Sequence, residues 1–180
     1  MCALNFTFDE EINHLIFSTE TGYLTYKLDP KIEKKFDVNK EGGVFITRYS
    51  EDKNIEIIVG GGERPCKRND YVIVSDFRDK NQQFDICMKE QIRNILIVAD
   101  RFLVFLQKRI VEFDYNGNIL QIKSTYCNEK GLGKLPKNKK IPKIVTMGTE
   151  KGEVAIWNYK TEHVKIIKAH NGKINIESER

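Results

Sequence analysis

Apolar residues recur along this chain in short runs with a period of two, the spacing of half-buried strands. Leu15-Ile16-Phe17 and Tyr23 to Leu28 read as two strands joined by a tight turn at Glu20-Thr21-Gly22. In the second, Tyr23, Thr25 and Lys27 alternate with Leu24, Tyr26 and Leu28. Ile55 to Val59 is a nearly continuous apolar run broken only by Glu56, and Gly60-Gly61-Gly62 ends it by freeing the backbone to leave the sheet. Tyr71 to Val74 follows. Ile95 to Ala99, Phe102 to Leu106 and Arg109 to Phe113 come in close succession, and Asn116-Gly117 signals a two-residue hairpin before Ile119 to Ile122. Ile144 to Met147, Gly152 to Trp157 and Val164 to Ile167 complete the series.

Turn signals every 8–12 residues or so fit an all-β sandwich, barrel or propeller. An internal repeat favours the propeller. Ser18–Asp29 (STETGYLTYKLD) and Gly148–Tyr159 (GTEKGEVAIWNY) both read small-Thr-Glu-x-Gly, then alternating apolar residues. Ile73–Phe77 and Ile110–Asn116 are weaker relatives at intermediate positions. The spacing approaches the ~40–45 residues of a WD40-type blade, with chance likeness between hairpins as the competing explanation. Blade one then spans 3–36, blade two 43–87, blade three 92–126 and blade four 131–168, with 169–180 starting a fifth.

Composition supports the strands. The 180 residues are 40% hydrophobic and 31% charged, enough for a packed core and too apolar for disorder. Four alanines stand against more than thirty isoleucines and valines, which excludes a helix bundle. The four cysteines (Cys2, Cys66, Cys87, Cys127) form no C-x-x-C pair and have no histidine at metal spacing, so reduced thiols and no metal are expected. No apolar run approaches the roughly 20 residues of a membrane span. Asp9, Glu10 and Glu11 occupy the place of a signal-peptide core, so a cytoplasmic chain is expected.

Charge is uneven around a net +4. Lys123 to Lys143 holds seven lysines and one glutamate, read either as a solvated loop or as a patch for phosphates. Tyr126 is its sole aromatic, so nucleic acid is not an expected partner. Gly60–Gly62 and Gly131-Leu132-Gly133-Lys134 both lack the Lys-Ser/Thr pair of a phosphate-binding loop, and no G-x-S-x-G occurs. His14, His163 and His170 have no carboxylate or thiol at diagnostic spacing, so no catalytic residue and no cofactor is expected. The loop Gly60–Asp70 carries Arg64, Lys67 and Arg68 around the stiffening Pro65, and reads as a displayed binding loop or an ordinary charged one. Trp157, the single tryptophan, is expected to pack between blades.

These motifs together resemble the PROPPIN family, the WD40-like phosphoinositide-binding propellers of autophagy. Asn5-Phe6, then Thr19, Gly22, Tyr23, Asp29 and Pro30, resemble its opening blade, with Ser18 in place of the usual glycine. Gly42-Gly43 and Val59–Phe77 resemble its second blade. Ile92-Arg93 and Asp100-Arg101 resemble the third, Cys127–Leu132 the link onward, and Gly148–Asn158 with Lys168–Ile174 the fourth blade and entry to the fifth.

The resemblance implies about four blades of a seven-bladed ring. It implies an adaptor without catalytic activity, peripheral on autophagic, endosomal or vacuolar membranes. The family's lipid sites, around a Phe/Leu-Arg-Arg-Gly motif on blades five and six, fall beyond Arg180. Weak or no binding of phosphatidylinositol 3-phosphate or the 3,5-bisphosphate is therefore expected of these residues alone, with His170 as one residual headgroup contact. The family's blade-two loop recruits an autophagic lipid-transfer partner. That role carries over to Arg64, Pro65, Lys67 and Arg68, with Cys66 departing from the family's basic or polar residue. A WD40-type protein-interaction scaffold without lipid binding is the alternative. Unpaired blades at the two ends also imply self-association, such as a homodimer.

Overall fold

The computed structural model describes residues 3–9, 13–76, 83–136 and 141–169. Of the fifth-blade start expected at 169–180, all but Ala169, and His170 with it, lies outside the described residues.

The described strands form four antiparallel sheets of four, each in sequential order. Blade one is β1 (Ala3–Asp9), β2 (His14–Thr19), β3 (Gly22–Lys27) and β4 (Glu33–Asn39). Blade two is β5 (Val44–Ser50), β6 (Ile55–Gly60), β7 (Tyr71–Asp76) and β8 (Gln83–Cys87). Blade three is β9 (Asn94–Val98), β10 (Arg101–Phe105), β11 (Arg109–Asp114) and β12 (Ile119–Ser124). Blade four is β13 (Gly133–Lys134), β14 (Lys143–Met147), β15 (Glu153–Asn158) and β16 (Val164–Lys168). This is a run of four propeller blades. The two repeat segments fall on equivalent places: each spans the turn between the second and third strands of its blade, in blades one and four.

Alternation along each strand sorts side chains between neighbouring blades. In β6, Ile58 packs toward blade one, while Ile57 and Val59 join the layer against blade three. In β10, Phe102 and Val104 face blade two, while Leu103 and Phe105 face blade four. Blades two and three are therefore buried on both faces, which is why their strands read as unbroken apolar runs rather than alternating ones. Phe102 stacks on Phe113, with ring centroids 5.3 Å apart, at the centre of the largest layer.

Blade one has one covered face. Ile16 and Tyr23 meet Val44, Tyr49, Ile58 and Ile73 of blade two. The opposite face carries Leu15, Phe17, Leu24 and Tyr26 around a hollow of about 500 Å³. The outermost strands are the exposed ones: β4 is mainly polar, whereas β12 and β16 expose Ile119, Leu120, Ile122, Val164, Ile166 and Ile167.

The innermost strands are joined by polar contacts. Arg48 on β5 donates to Thr7 Oγ1 of β1 (2.9 Å), to the Ile95 carbonyl of β9 (2.9 Å) and to Asn94 Oδ1 (3.0 Å). One guanidinium thus links three blades through its fixed fork.

The Asn116-Gly117 turn differs from the expected two-residue hairpin. Gly117 N–H donates to the Asp114 carbonyl (3.1 Å), and Asp114 N–H donates to the Asn118 carbonyl (3.0 Å). The Asp114 carboxylate also accepts from the N–H groups of Asn116 (2.9 Å) and Asn118 (2.8 Å). A side chain that satisfies two backbone donors lengthens the loop to Tyr115–Gly117, with Gly117 at φ +84° and a bulge between Glu112 and Phe113.

Candidate functional site

The loop 61–70 leaves β6 and returns to β7 folded back over the join between blades one and two. Glycines make that path sterically open. A Cβ on Gly60 would lie 1.8 Å from the Lys67 carbonyl oxygen, and one on Gly43 would lie 2.0 Å from the Gly61 carbonyl oxygen. The close approach is then locked by backbone bonds. Gly43 N–H donates to the Arg64 carbonyl (2.8 Å), and the Gly43 carbonyl accepts from Gly61 N–H (3.1 Å) and Cys66 N–H (3.0 Å). Blade one adds a side chain: Glu20, from the turn after β2, accepts from Glu63 N–H at 3.2 Å.

The loop's residues then divide. Cys66 turns inward against the blade one–two layer, and burial pushes its thiol up from the ordinary range. Arg64 and Pro65 stand exposed at the tip, and Arg64 makes no ion pair among the described residues. Lys67 and Arg68 are less free than the sequence implied. Lys67 donates to Asp85 Oδ2 (2.6 Å), and the hydrogen bond and charge of that carboxylate hold its ammonium pKa above the usual value. Arg68 donates to Asp70 Oδ2 (2.6 Å), though its side chain remains 76% exposed. Both cations flank the Tyr71 ring, with centroid distances of 5.1 Å for Lys67 and 5.8 Å for Arg68. A hydrogen bond with Cys87 raises the Tyr71 phenol above its ordinary pKa.

The structure thus brings Arg64, Pro65, Lys67 and Arg68 onto one ridge, with Tyr71 and Asp85 as members that sequence reasoning missed. Tyr71 had a signal, a strand-start aromatic just after a basic loop. Asp85 had none, because it comes from the outer strand β8, 18 residues on.

Beneath the ridge lies a buried polar cluster that sequence reasoning also missed. Glu56, 3% exposed, accepts from the Tyr23 hydroxyl, from Lys40 Nζ (2.6 Å) and from Ser75 Oγ (2.9 Å). Burial first, then the Glu56 charge, drives the Tyr23 phenol far above its ordinary pKa. The cluster rivets blade one to blade two under the loop.

The histidines are dispersed. His14 is buried and hydrogen-bonds the Tyr49 hydroxyl, while His163 is exposed beyond β15. Trp157 is 1% exposed and packs with Leu103, Phe105 and Ile144 between blades three and four. Among the described residues, no group of three or more His, Cys, Asp and Glu side chains is placed to hold a metal ion.

Four sequential four-stranded blades define the class: a β-propeller of the WD40-like kind. Within it the chain is PROPPIN-like. It is 23% identical over 141 residues to SVP1-like protein 2 of Debaryomyces hansenii, an alignment covering 75% of this chain and 33% of that protein. Its fold is similar to the crystal structure of Hsv2 from Kluyveromyces marxianus, with TM-score 0.74, 15% identity, and coverage of 93% of this chain and 49% of that one. It is also similar to KlAtg21 in its complex with the coiled-coil of AgAtg16, with TM-score 0.63, 11% identity, and coverage of 94% and 57%. The chain therefore spans about a third of the curated relative and about half of each solved one. No protein-family model matches it.

Proposed function

We propose that this chain acts as a non-catalytic adaptor in autophagy or a related vesicular pathway, using the blade-two ridge to hold a protein partner. The pinned loop carries this reading: three backbone hydrogen bonds with Gly43 and one from Glu63 N–H to Glu20 fix its path, yet Arg64, Pro65 and Arg68 stay exposed. A loop ordered before binding pays less entropy when a partner docks. Arg64 makes no ion pair among the described residues and the Arg68 side chain is 76% exposed, so the matching partner surface is acidic, and the autophagic lipid-transfer protein is the partner proposed. The complex of KlAtg21 with a coiled-coil supports a protein partner for this class of propeller. The chain works in the cytoplasm, peripheral on autophagic, endosomal or vacuolar membranes. Phosphoinositide binding by these 180 residues alone is weak.

Two assays test this. In co-precipitation with the purified lipid-transfer partner, Arg64→Glu with Arg68→Glu should lower binding at least tenfold, and unchanged capture would sink the adaptor assignment. In flotation with liposomes containing phosphatidylinositol 3-phosphate or the 3,5-bisphosphate, the chain should stay largely unbound. Tight headgroup-selective flotation would overturn the weak-lipid part alone. The bare apolar face of blade one also points to self-association. Light scattering should show a dimer or larger species that Leu24→Glu reduces to monomer, and a monomeric native chain would refute it.

A further inference from the structure

A second binding place lies between blades three and four, away from the ridge. Ile110 on one side and Ala155, Trp157, Val164 and Ile166 on the other enclose a groove of about 220 Å³. That is below the roughly 300–1,000 Å³ of small-molecule sites. It exceeds the roughly 150 Å³ apolar cavity that holds a benzene ring. The space suits one aromatic or branched side chain of a larger partner.

Two buried donors at this groove lack partners. The Trp157 indole N–H and the Thr125 hydroxyl are both enclosed and make no hydrogen bond among the described residues. Such groups are costly to leave unpaired. The open wall is apolar as well, with Val164 40% and Ile166 44% exposed on one face of β16.

The charges around the groove favour an anion. Lys123 lines it, with its ammonium 4.3 Å from the centroid of the Trp157 ring, and has no carboxylate at salt-bridge distance among the described residues. Lys168 shares the β16 face of Val164 and Ile166 and is exposed. The nearby acids are partly committed: Glu112 is buried and paired with Arg101 (2.6 Å), and Glu153 accepts from Glu150 N–H (3.1 Å). Glu162 is the exposed acid that faces Lys123. Burial lowers the Lys123 pKa, a cost that an arriving carboxylate would offset.

We propose that the groove between blades three and four binds an acidic linear peptide of a protein partner, which inserts one apolar side chain beside Trp157 and places its carboxylates on Lys123 and Lys168. The site is separate from the blade-two ridge and stands or falls independently of it.

Trp157 is the only tryptophan, so its emission reports the groove directly. The probes are tryptophan-free synthetic nonapeptides with glutamate and aspartate flanks and a central phenylalanine, leucine or alanine, titrated into the full chain. The phenylalanine and leucine peptides should give a saturable shift of the emission. The alanine-centred peptide, and a phenylalanine peptide with lysine flanks, should bind at least tenfold more weakly. Lys123→Glu and Val164→Glu should each lower affinity at least tenfold. Both positions are part-exposed, and far-UV circular dichroism verifies the fold of each variant. Absence of a saturable shift with every acidic peptide would overturn the proposal, as would undiminished binding in both folded variants. An equal response to phosphatidylserine vesicles would assign the groove to a membrane and overturn it too.

Discussion

Replacing Glu56 by alanine should be among the most damaging single changes in this chain, and the structure sets its size. The carboxylate is 3% exposed and accepts from Tyr23, Lys40 and Ser75. Its removal strands the buried Tyr23 hydroxyl and leaves Lys40, whose side chain is only 22% exposed, without its anion. Breaking one side of a buried pair costs about 3–5 kcal/mol. The partial exposure of Lys40 lets water recover some of that, so the lower half of the range is expected. For a chain of this length each kcal/mol moves the midpoint by about 2–4 °C, so Glu56→Ala should lower Tm by roughly 6–16 °C. Urea titration followed by circular dichroism gives the free energy. Tyr23→Phe, which keeps the ring and the ion pair but removes one hydrogen bond to a charged carboxylate, should cost less, about 1.5–3 kcal/mol. Adding Lys40→Met to Glu56→Ala should restore part of the loss, because the unpaired ammonium goes with it. If Glu56→Ala unfolds within about 1 kcal/mol of the native chain, the claim that this cluster rivets blades one and two is wrong.

Three further outcomes are expected. Gly60→Ala should cost more than about 2 kcal/mol and make the 61–70 loop sensitive to limited proteolysis, because its Cβ meets the Lys67 carbonyl; a protease-resistant loop would count against the packed path. Stability should hold below about pH 10 and fall above it. The phenols of Tyr23 and Tyr115 are raised by burial, the latter to about 12, so the unfolded chain ionises first as pH rises; Tyr115→Phe should flatten this loss in a denaturation series from pH 9 to 11.5. Cys66 should react with a thiol reagent at least tenfold more slowly than exposed Cys87, read by mass spectrometry of labelled peptides, and equal rates would contradict its inward packing.

Much of the fold was legible in local pattern. Strands buried on both faces, such as Ile55–Gly60 and Arg101–Phe105, announce themselves as apolar runs. The outer strand Glu33–Asn39 is exposed along most of its length, so selection leaves no apolar signature there. The two-residue strand Gly133–Lys134 is too short for a period. At the ridge, the basic residues and Pro65 were visible as a loop. Their freedom was not, because Asp85 and Glu20 reach the loop from positions 18 and 43 residues away.

Side-chain period, glycine and proline within a dozen residues are enough to set the strand repeat, the all-β class and the charged loop. Which charges are free and where polar groups are buried depends instead on how the blades stack. Glu56 looks like an interruption in an apolar strand until Tyr23, Lys40 and Ser75 converge on it. Trp157 looks like core until its unpaired N–H and the overlying Lys123 mark the edge of a groove. Burial and pairing are properties of distance in space, and blade stacking sets those distances between residues that the chain keeps far apart.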